Sequence, residues 1–409
     1  MGTVKDSGVS YIGNIPISWC VKKIKHIAVE CSESGLMNPE KSQYIGLENV
    51  SGYSNEVIIT NTEYDISIQK KCFKDSILFG KLRPYLSKVI IAPYDGFCTG
   101  EFLELTKYKG DIRFLRYSLL NANLIDTINM STYGAKMPRA NSEFIMNCYV
   151  AYPTYNEQRI IADFLDRKCK EIDALFTDIQ TEIDILEEYK RSVIIEKVTK
   201  GLNPDVETKD SMVEWLGEIP DLWVLSRIGS VYELRNTKVS DKEYPPLSVT
   251  NKGVVPQLET AAKTNAHDDR KLVKRGDFVI NSRSDRRGSC GISSYEGSVS
   301  LINTILVPLG EMNPKYYGWL FHTVQFGDEF YKWGHGIVDD LWTTNWRDMK
   351  KITIPVPNLD EQEKIASFLD TKCAEIDSII GTKKEQLTIL DEYKKSMIYE
   401  YVTGKKEVI

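Results

Sequence analysis

The chain writes one long helical stretch twice. The first copy starts at Glu157-Gln158 and runs through IADFLDRKCKEIDALF to ILEEYKRSVIIEKVTKG, and the second starts at Glu361-Gln362 and runs through IASFLDTKCAEIDSII to ILDEYKKSMIYEYVTGK. The two align without a gap at an offset of about 204 positions, with roughly half the pairs identical, and a repeat on this scale sets the architecture before any other signal is weighed. The offset holds outside the helices as well. KDSGVSYIGNIPISW, ending at Trp19, matches KDSMVEWLGEIPDLW, ending at Trp223, and Pro153 matches Pro357. One design of about half the chain is therefore repeated in tandem.

Each helical copy carries a narrow apolar seam. Leu165, Cys169, Ile172, Phe176, Ile179, Ile183 and Leu186 alternate four and three residues apart, the spacing of a coiled-coil strand. The second copy keeps Leu369, Cys373, Ile376, Ile380, Leu387 and Leu390, with Lys383 interrupting the seam. Asn156 and Asp360 are expected N-caps, Asp360 with Glu363 three residues on. Pro153 and Pro357 mark extended chain before each cap, and Gly201 and Gly404 suit the far ends. Some forty residues at about 1.5 Å each make a rod of roughly 60 Å, far longer than an ordinary core helix.

Between the helices the signals are those of a mixed sheet. Short Ile- and Val-rich runs alternate with turns: YIGLENV, EVIITNT, SILFG, KVIIAP and FLELT in the first half, and PLSVTNKG, DFVINSR and SLINTILVPL in the second. Helical spacing returns at 111–121, in part of 122–130, and at PKYYGWLFHTV, and a last strand (NCYVAYP, KITIPVP) feeds each long helix. The fold class expected is α+β, as two tandem pseudo-repeats. The boundaries are a globular domain over 1–155, a helix over 156–203, a second domain over 204–359 and a second helix over 360–409.

Charge is distributed unevenly. The net charge is −6, but residues 157–199 hold eleven Asp/Glu against seven Lys/Arg and residues 361–403 nine against six, which leaves the globular parts near neutral. Net charge thus neither supports nor opposes nucleic-acid binding. No window approaches the ~18 apolar residues of a membrane span, and the N-terminus lacks signal-peptide and myristoylation patterns, so a cytoplasmic protein without membrane contact is expected. The eight scattered cysteines include no C-x-x-C and fit free thiols in a reducing compartment.

Catalytic constellations are missing from the pattern. The four histidines (26, 267, 322 and 335) show no metal spacing, and there is no phosphate loop, dinucleotide fingerprint or nucleophile elbow. Tyr244-Pro245-Pro246-Leu247 lacks the Asx that an adenine-methyltransferase loop needs and reads as a turn. His335, between two glycines, reads as a loop residue without an assigned role.

Basic loops with aromatic neighbours follow equivalent strands in the two halves. The first half has Lys81, Arg83, Tyr85 and Lys88, then Tyr133, Lys136, Arg139 and Asn141; the second has Arg283, Arg286 and Arg287, then Trp342, Thr344, Asn345 and Arg347. Arg reads guanine bidentately, Asn reads adenine, and Lys or further Arg hold phosphates, so these are candidate DNA contacts.

The sequence resembles the specificity subunits of type I restriction-modification systems over essentially its whole length. The resemblance rests on the G-x-I-P-x-x-W openings at Gly13 and Gly217, the P-x-x-x-E-Q-x-x-I-A-x-F-L-D helix starts at Pro153 and Pro357, and the tails ILEEYKRS and ILDEYKKS followed by VTKG and VTGK. The segments that differ between copies, about 20–150 and 224–352, are where that family keeps its target-recognition domains. The resemblance implies long helices paired as an antiparallel coiled coil that holds two recognition domains apart with pseudo-twofold symmetry. It implies a non-catalytic chain with no cofactor of its own that reads a bipartite, asymmetric double-stranded DNA target. The partners implied are two modification methyltransferase subunits, which methylate adenines flipped from each half-site, and restriction/translocase subunits. Two other readings stay open here: a diverged DNA-modifying enzyme, which would modify or cut DNA alone, and a coiled-coil scaffold without DNA specificity.

Overall fold

The structure, a computed structural model, describes residues 3–38, 40, 42–58, 66–134, 136–259, 267–283, 286–336 and 342–408. The chain forms two compact units. One comprises residues 1–182 with 383–409, the other residues 183–382. The long helices are Tyr155–Lys200 and Leu359–Val402, of 46 and 44 residues, so each unit holds part of both.

The first unit opens with a hairpin, Val4–Asp6 against Asn14–Pro16. The strand Cys20–Lys23 then pairs antiparallel with Tyr149–Tyr152, the strand that leads into the helix. Between these ends lie two four-stranded sheets. One runs Val29–Cys31, Phe102–Thr106, Ile77–Gly80, Val89–Ile91; the other runs Ser34–Met37, Ser67–Cys72, Gly96–Cys98, Tyr44–Ile45. All pairings are antiparallel except Phe97–Cys98 with Tyr44–Ile45, as an α+β fold requires. Helices Ile112–Leu119 and Ala122–Met130, each capped by the side chain of the preceding Asp111 or Asn121, bury Leu115, Leu119, Leu124 and Ile128 on the first sheet with Ile77, Phe79 and Leu103. The second sheet encloses a smaller core around Cys72, Leu78, Cys98 and Phe102. Of the expected strand over 56–62, residues from 59 onward lie outside the described residues.

The second unit repeats the order. Its hairpin is Thr208–Asp210 with Glu218–Pro220, and its linking pair is Val224–Arg227 with Thr353–Val356. Its main sheet runs Tyr232–Arg235, Asn303–Pro308, Phe278–Asn281, Cys290–Ile292, and beside it lies Lys238–Val239, Arg270–Val273, Gly297–Ser300. The core is more aromatic: Tyr232, Phe278, Tyr316, Tyr317, Phe321, Phe326 and Phe330 are all essentially inaccessible and touch ring to ring.

The two helix stretches inside each unit run antiparallel. In the first unit Phe164 packs on Tyr401 (centroids 4.4 Å apart), Asp173 pairs with Lys394 (2.5 Å), and Glu182 pairs with Lys383, so partners descend the second helix as they ascend the first. Lys383 is therefore an interhelical ion-pair donor at the seam. In the second unit Lys190 pairs with Asp377 (2.6 Å), while Val193 and Val198 share a core with Ile365, Ala366 and Leu369. Leu165, Cys169, Ile172, Ile179, Ile183, Leu369, Cys373, Ile376 and Ile380 are buried; Phe176, Leu186, Leu387 and Leu390 are partly so. The caps differ from expectation. Helix starts at Tyr155 and Leu359 place Thr154 and Asn358, not Asn156 and Asp360, at the cap, because the chain leaves its proline directly into the helix. Thr154 and Glu157 bond reciprocally, and Asn358 Oδ1 accepts from the Glu361 amide (3.0 Å).

The opening motifs dock where these helices begin and end. In the first unit the indole of Trp19 donates to Glu157 Oε1 (3.1 Å) and packs beside Gly404; in the second Trp223 donates to Glu361 Oε2 (2.9 Å) and packs beside Gly201. Gln158 accepts from the Asp111 amide (3.1 Å) and donates to Pro153 O (3.0 Å), while Gln362 accepts from the Asn313 amide (2.9 Å) and donates to Pro357 O (2.8 Å). The three most repeated stretches of the sequence thus meet at one joint in each unit. Both glycines adopt positive φ, 76° at Gly201 and 68° at Gly404, as a helix-terminating position requires.

Candidate nucleic-acid interface

In the first unit the buried strand Ile77–Gly80 delivers the chain to Lys81, and Gly80 N bonds back to Lys88 O (2.8 Å), closing the loop at its root. Arg83 and Ser87 both have φ of 51°, a left-handed conformation costing about 1 kcal/mol each, and flank the turn Pro84–Leu86 that leaves Tyr85 half exposed. The second candidate segment lies against this loop. Ala140 N bonds to Lys81 O (2.9 Å), Arg83 N to Pro138 O (2.7 Å), and Arg139 bridges both Leu82 and Tyr133. Lys81, Arg83, Tyr85, Tyr133, Lys136 and Arg139, distant in sequence, therefore stand on one framework. Burial, followed by the nearby Lys70, pushes the Lys81 ammonium below the ordinary lysine value; Glu101 and Glu30 oppose this and Arg139 adds to it. Arg139 forms an ion pair with Glu101.

The second unit builds the same framework from different side chains. Phe278–Asn281 delivers the chain to Ser282, whose carbonyl accepts from the Thr344 amide (2.9 Å), and Thr343 bridges both Arg283 and His335. Arg287 is held by Asp328 (2.7 Å) and lies over the Tyr331 ring (5.3 Å). Arg286 is exposed on the same loop, and Arg347 is exposed on the short helix Trp346–Met349. Position for position, Lys81 corresponds to Ser282, Leu82 to Arg283, Tyr133 to His335 and Arg139 to Thr343. His335, given no role by the sequence pattern, occupies the place of Tyr133, with Nε2 3.4 Å from Asp348.

Asn141 and Asn345 have a further duty. Asn141 Oδ1 accepts from the Glu143 amide (2.7 Å) and Asn345 Oδ1 from the Asp348 amide (3.3 Å), so both are N-caps with the oxygen committed to backbone. A bidentate contact to adenine needs that oxygen, which leaves the amide nitrogen as each residue's outward donor. Residues 135, 284, 285 and 337–341 of the candidate loops lie outside the described residues.

Two units whose main sheets share one strand order, each carrying a framework of backbone-locked loops with different basic and aromatic side chains, form the two-module arrangement of a recognition subunit. The chain belongs to the family described as the type I restriction modification DNA specificity domain, which matches twice, over residues 19–184 and 220–388. The putative type I restriction enzyme MjaX specificity subunit of Methanocaldococcus jannaschii is 26% identical, over 97% of this chain and 96% of its own. Two solved structures share the fold at 15% identity. One, from a study of complex assembly and conformational transition of the type I R-M system, has a TM-score of 0.71 and covers 96% of this chain and 99% of its own. The other, the HsdS subunit from Thermoanaerobacter tengcongensis, has a TM-score of 0.51, with 96% and 98% covered. The chain is a DNA-recognition subunit and not a catalyst, and its family membership carries DNA binding and assembly with other restriction-modification subunits. Among the described residues no helix is long and apolar enough to cross a membrane.

Proposed function

We propose that the two loop frameworks read the two halves of an asymmetric, bipartite DNA target, with 1–155 and 204–359 as target-recognition domains and the helices over 156–203 and 360–409 as the spacer between half-sites. The observation that carries this is the equivalence of the frameworks: the same backbone bonds hold Lys81, Leu82, Tyr133 and Arg139 in one unit and Ser282, Arg283, His335 and Thr343 in the other. Conserved support with exchanged side chains is what reading two different half-sites requires. Arg83, Tyr85 and Lys136, and Arg283, Arg286, Arg287 and Arg347, supply base and phosphate contacts. Arg139 exchanges Glu101 for DNA when bound, and Asn141 and Asn345 donate through their amide nitrogens.

Two modification methyltransferase subunits dock on the helices, and restriction/translocase subunits join them, in the cytoplasm. The apolar side chains left exposed on the helices support a duplicated partner. The first unit exposes Leu175, Ile389 and Tyr393, and the second exposes their repeat equivalents Ile379, Ile185 and Tyr189. The chain itself contributes address, and the methyltransferases flip and methylate an adenine in each half-site.

Co-expression with the methyltransferase, followed by single-molecule sequencing of adenine methylation in host DNA, tests the reading. The expected result is one bipartite motif methylated on both strands across a fixed gap, and exchange of residues 20–150 for those of a relative changes one half of the motif only. An intact complex with no methylation in either chain would overturn the assignment in favour of a scaffold.

A further inference from the structure

Behind each framework stands a lysine that the loop pattern does not include. Lys70 lies on Ser67–Cys72 and Lys271 on Arg270–Val273, equivalent strands of the second sheet of each unit. Lys70 Nζ donates to Phe102 O (3.1 Å) and Lys271 Nζ to Asn303 O (2.8 Å), the same position at the start of the central strand of the main sheet. The residue just before accepts the first amide of the recognition loop: Glu101 O from Lys81 N (2.8 Å) and Ile302 O from Ser282 N (3.1 Å). Each ammonium therefore sits at the root of its loop. Several of its neighbours differ, since Cys72 stands where the second copy has Val273 and Phe102 where it has Asn303, but the lysine and its bond are written twice.

Neither lysine has a carboxylate partner among the described residues. Among the described residues, no Asp or Glu oxygen lies within ion-pair distance of Lys70 or Lys271, although their neighbours are paired, Lys71 with Glu33 (3.8 Å) and Lys238 with Asp269 (2.5 Å). Both are partly buried, and burial pushes Lys271 below the ordinary lysine value. An ammonium has three donors, and each here spends one on a neutral carbonyl. Holding a turn requires only a neutral donor, and a partly desolvated cation without a counter-charge carries a cost that a neutral donor avoids. A cation retained twice under that cost points to an anion absent from the chain itself. A compact ammonium with two unused donors suits a phosphate oxygen, whereas a planar guanidinium suits a base edge.

We infer that Lys70 and Lys271 are a duplicated pair of backbone-phosphate contacts, one behind each recognition loop, which set the depth at which the loop meets DNA without reading sequence. The inference rests on the DNA-recognition reading above and adds the division of labour within it. In the first unit Lys81 and Arg139 stand close by, with Arg139 paired to Glu101; in the second the loop begins with Ser282, and Lys271 is the lysine at its root.

The test is a salt series with the full chain and its modification subunits, binding a random-sequence DNA duplex and, separately, a duplex carrying the methylated motif. Lys70→Gln and Lys271→Gln are each expected to weaken both duplexes several-fold at moderate salt. Each should lower the slope of log affinity against log salt by about 0.9, and the double variant by about twice that. Lys70→Arg and Lys271→Arg should keep the slope, and the methylated motif should stay the same in every variant. An unchanged slope with a lower thermal midpoint would assign these lysines to turn-holding and overturn the inference. A changed motif would make them base readers and also overturn it. Wild-type complex that binds neither duplex would instead bring down the recognition reading itself.

Discussion

The repeat writes one interhelical ion pair twice, and the two copies sit in different surroundings. Asp173 with Lys394 in the first unit is the same pair of positions as Asp377 with Lys190 in the second. The first pair is 2.5 Å apart with side chains 21% and 10% exposed; the second is 2.6 Å apart with side chains 58% and 24% exposed. The difference comes from a loop of the first unit. Tyr53 stacks on Phe176 (3.8 Å between centroids), its carbonyl accepts from Lys394 (2.9 Å), and its ring covers the ammonium (4.3 Å). Burial holds the Asp173 carboxyl above the usual aspartate value, with Lys394 opposing. A diverged domain has therefore recruited a repeated surface pair into its own packing, so identical residues in the two copies are not energetically identical.

The largest expected effect breaks this comparison directly. Lys394→Met strands a partly buried carboxylate and is expected to cost about 3 kcal/mol, whereas Lys190→Met is expected to cost under about 1 kcal/mol because water replaces the lost partner. Denaturant unfolding of the two variants measures the gap, and Asp173→Asn added to Lys394→Met should recover part of the loss. Equal losses at the two sites would mean that the Tyr53 loop does not shield its pair.

A second comparison concerns the helix ends. A Cβ on Gly404 would lie 2.4 Å from the Pro16 ring, while one on Gly201 meets chiefly the Glu361 carboxylate at 2.9 Å, which can swing aside. With the positive φ common to both, Gly404→Ala is expected to cost about 2 kcal/mol and Gly201→Ala about 1 kcal/mol, read as thermal midpoints. Reversal of that order would show that the joint in the first unit yields more readily than its ring-to-glycine packing implies.

Much of this architecture is legible in the residues. Seam spacing, the prolines before each helix and the glycines after it are local, and local chemistry reads locally. The caps are ambiguous in the sequence because Asn156 and Thr154 are both competent N-caps, and only the proline geometry decides between them. The joint was invisible because Trp19 and Gly404 lie at opposite ends of the chain. The loop frameworks are half legible: the basic residues stand out in the sequence, but the repeat loses register between the helices, so neither the pairing of Tyr133 with His335 nor that of Lys70 with Lys271 follows from aligning the copies. Asn141 and Asn345 show the converse, residues whose side chains suit base reading but whose oxygens are already spent on a helix start.

The smallest effect sharpens the comparison at the joint itself, through pH. Burial alone would raise the Glu157 carboxyl, but hydrogen bonds from the Thr154 hydroxyl and amide and from the Trp19 indole outweigh it and hold the group below the usual glutamate value. A depressed carboxyl adds stability that is fully present above its unfolded value and is lost as pH falls through its folded one. Glu157→Gln keeps an acceptor for one donor but removes the charge, so it is expected to cost roughly 0.5–1 kcal/mol near neutrality, the scale of one hydrogen bond, and the deficit should shrink steadily as pH drops through and below the glutamate range. Glu361 is bonded by Trp223 as Glu157 is by Trp19, but the cap in front of it is Asn358, whose oxygen accepts from the Glu361 amide. Glu361→Gln should therefore cost less. Chemical unfolding at neutral and acidic pH separates the two variants, and a deficit for Glu157→Gln that stays constant across that range would mean that the joint holds its carboxylate by shape and not by charge.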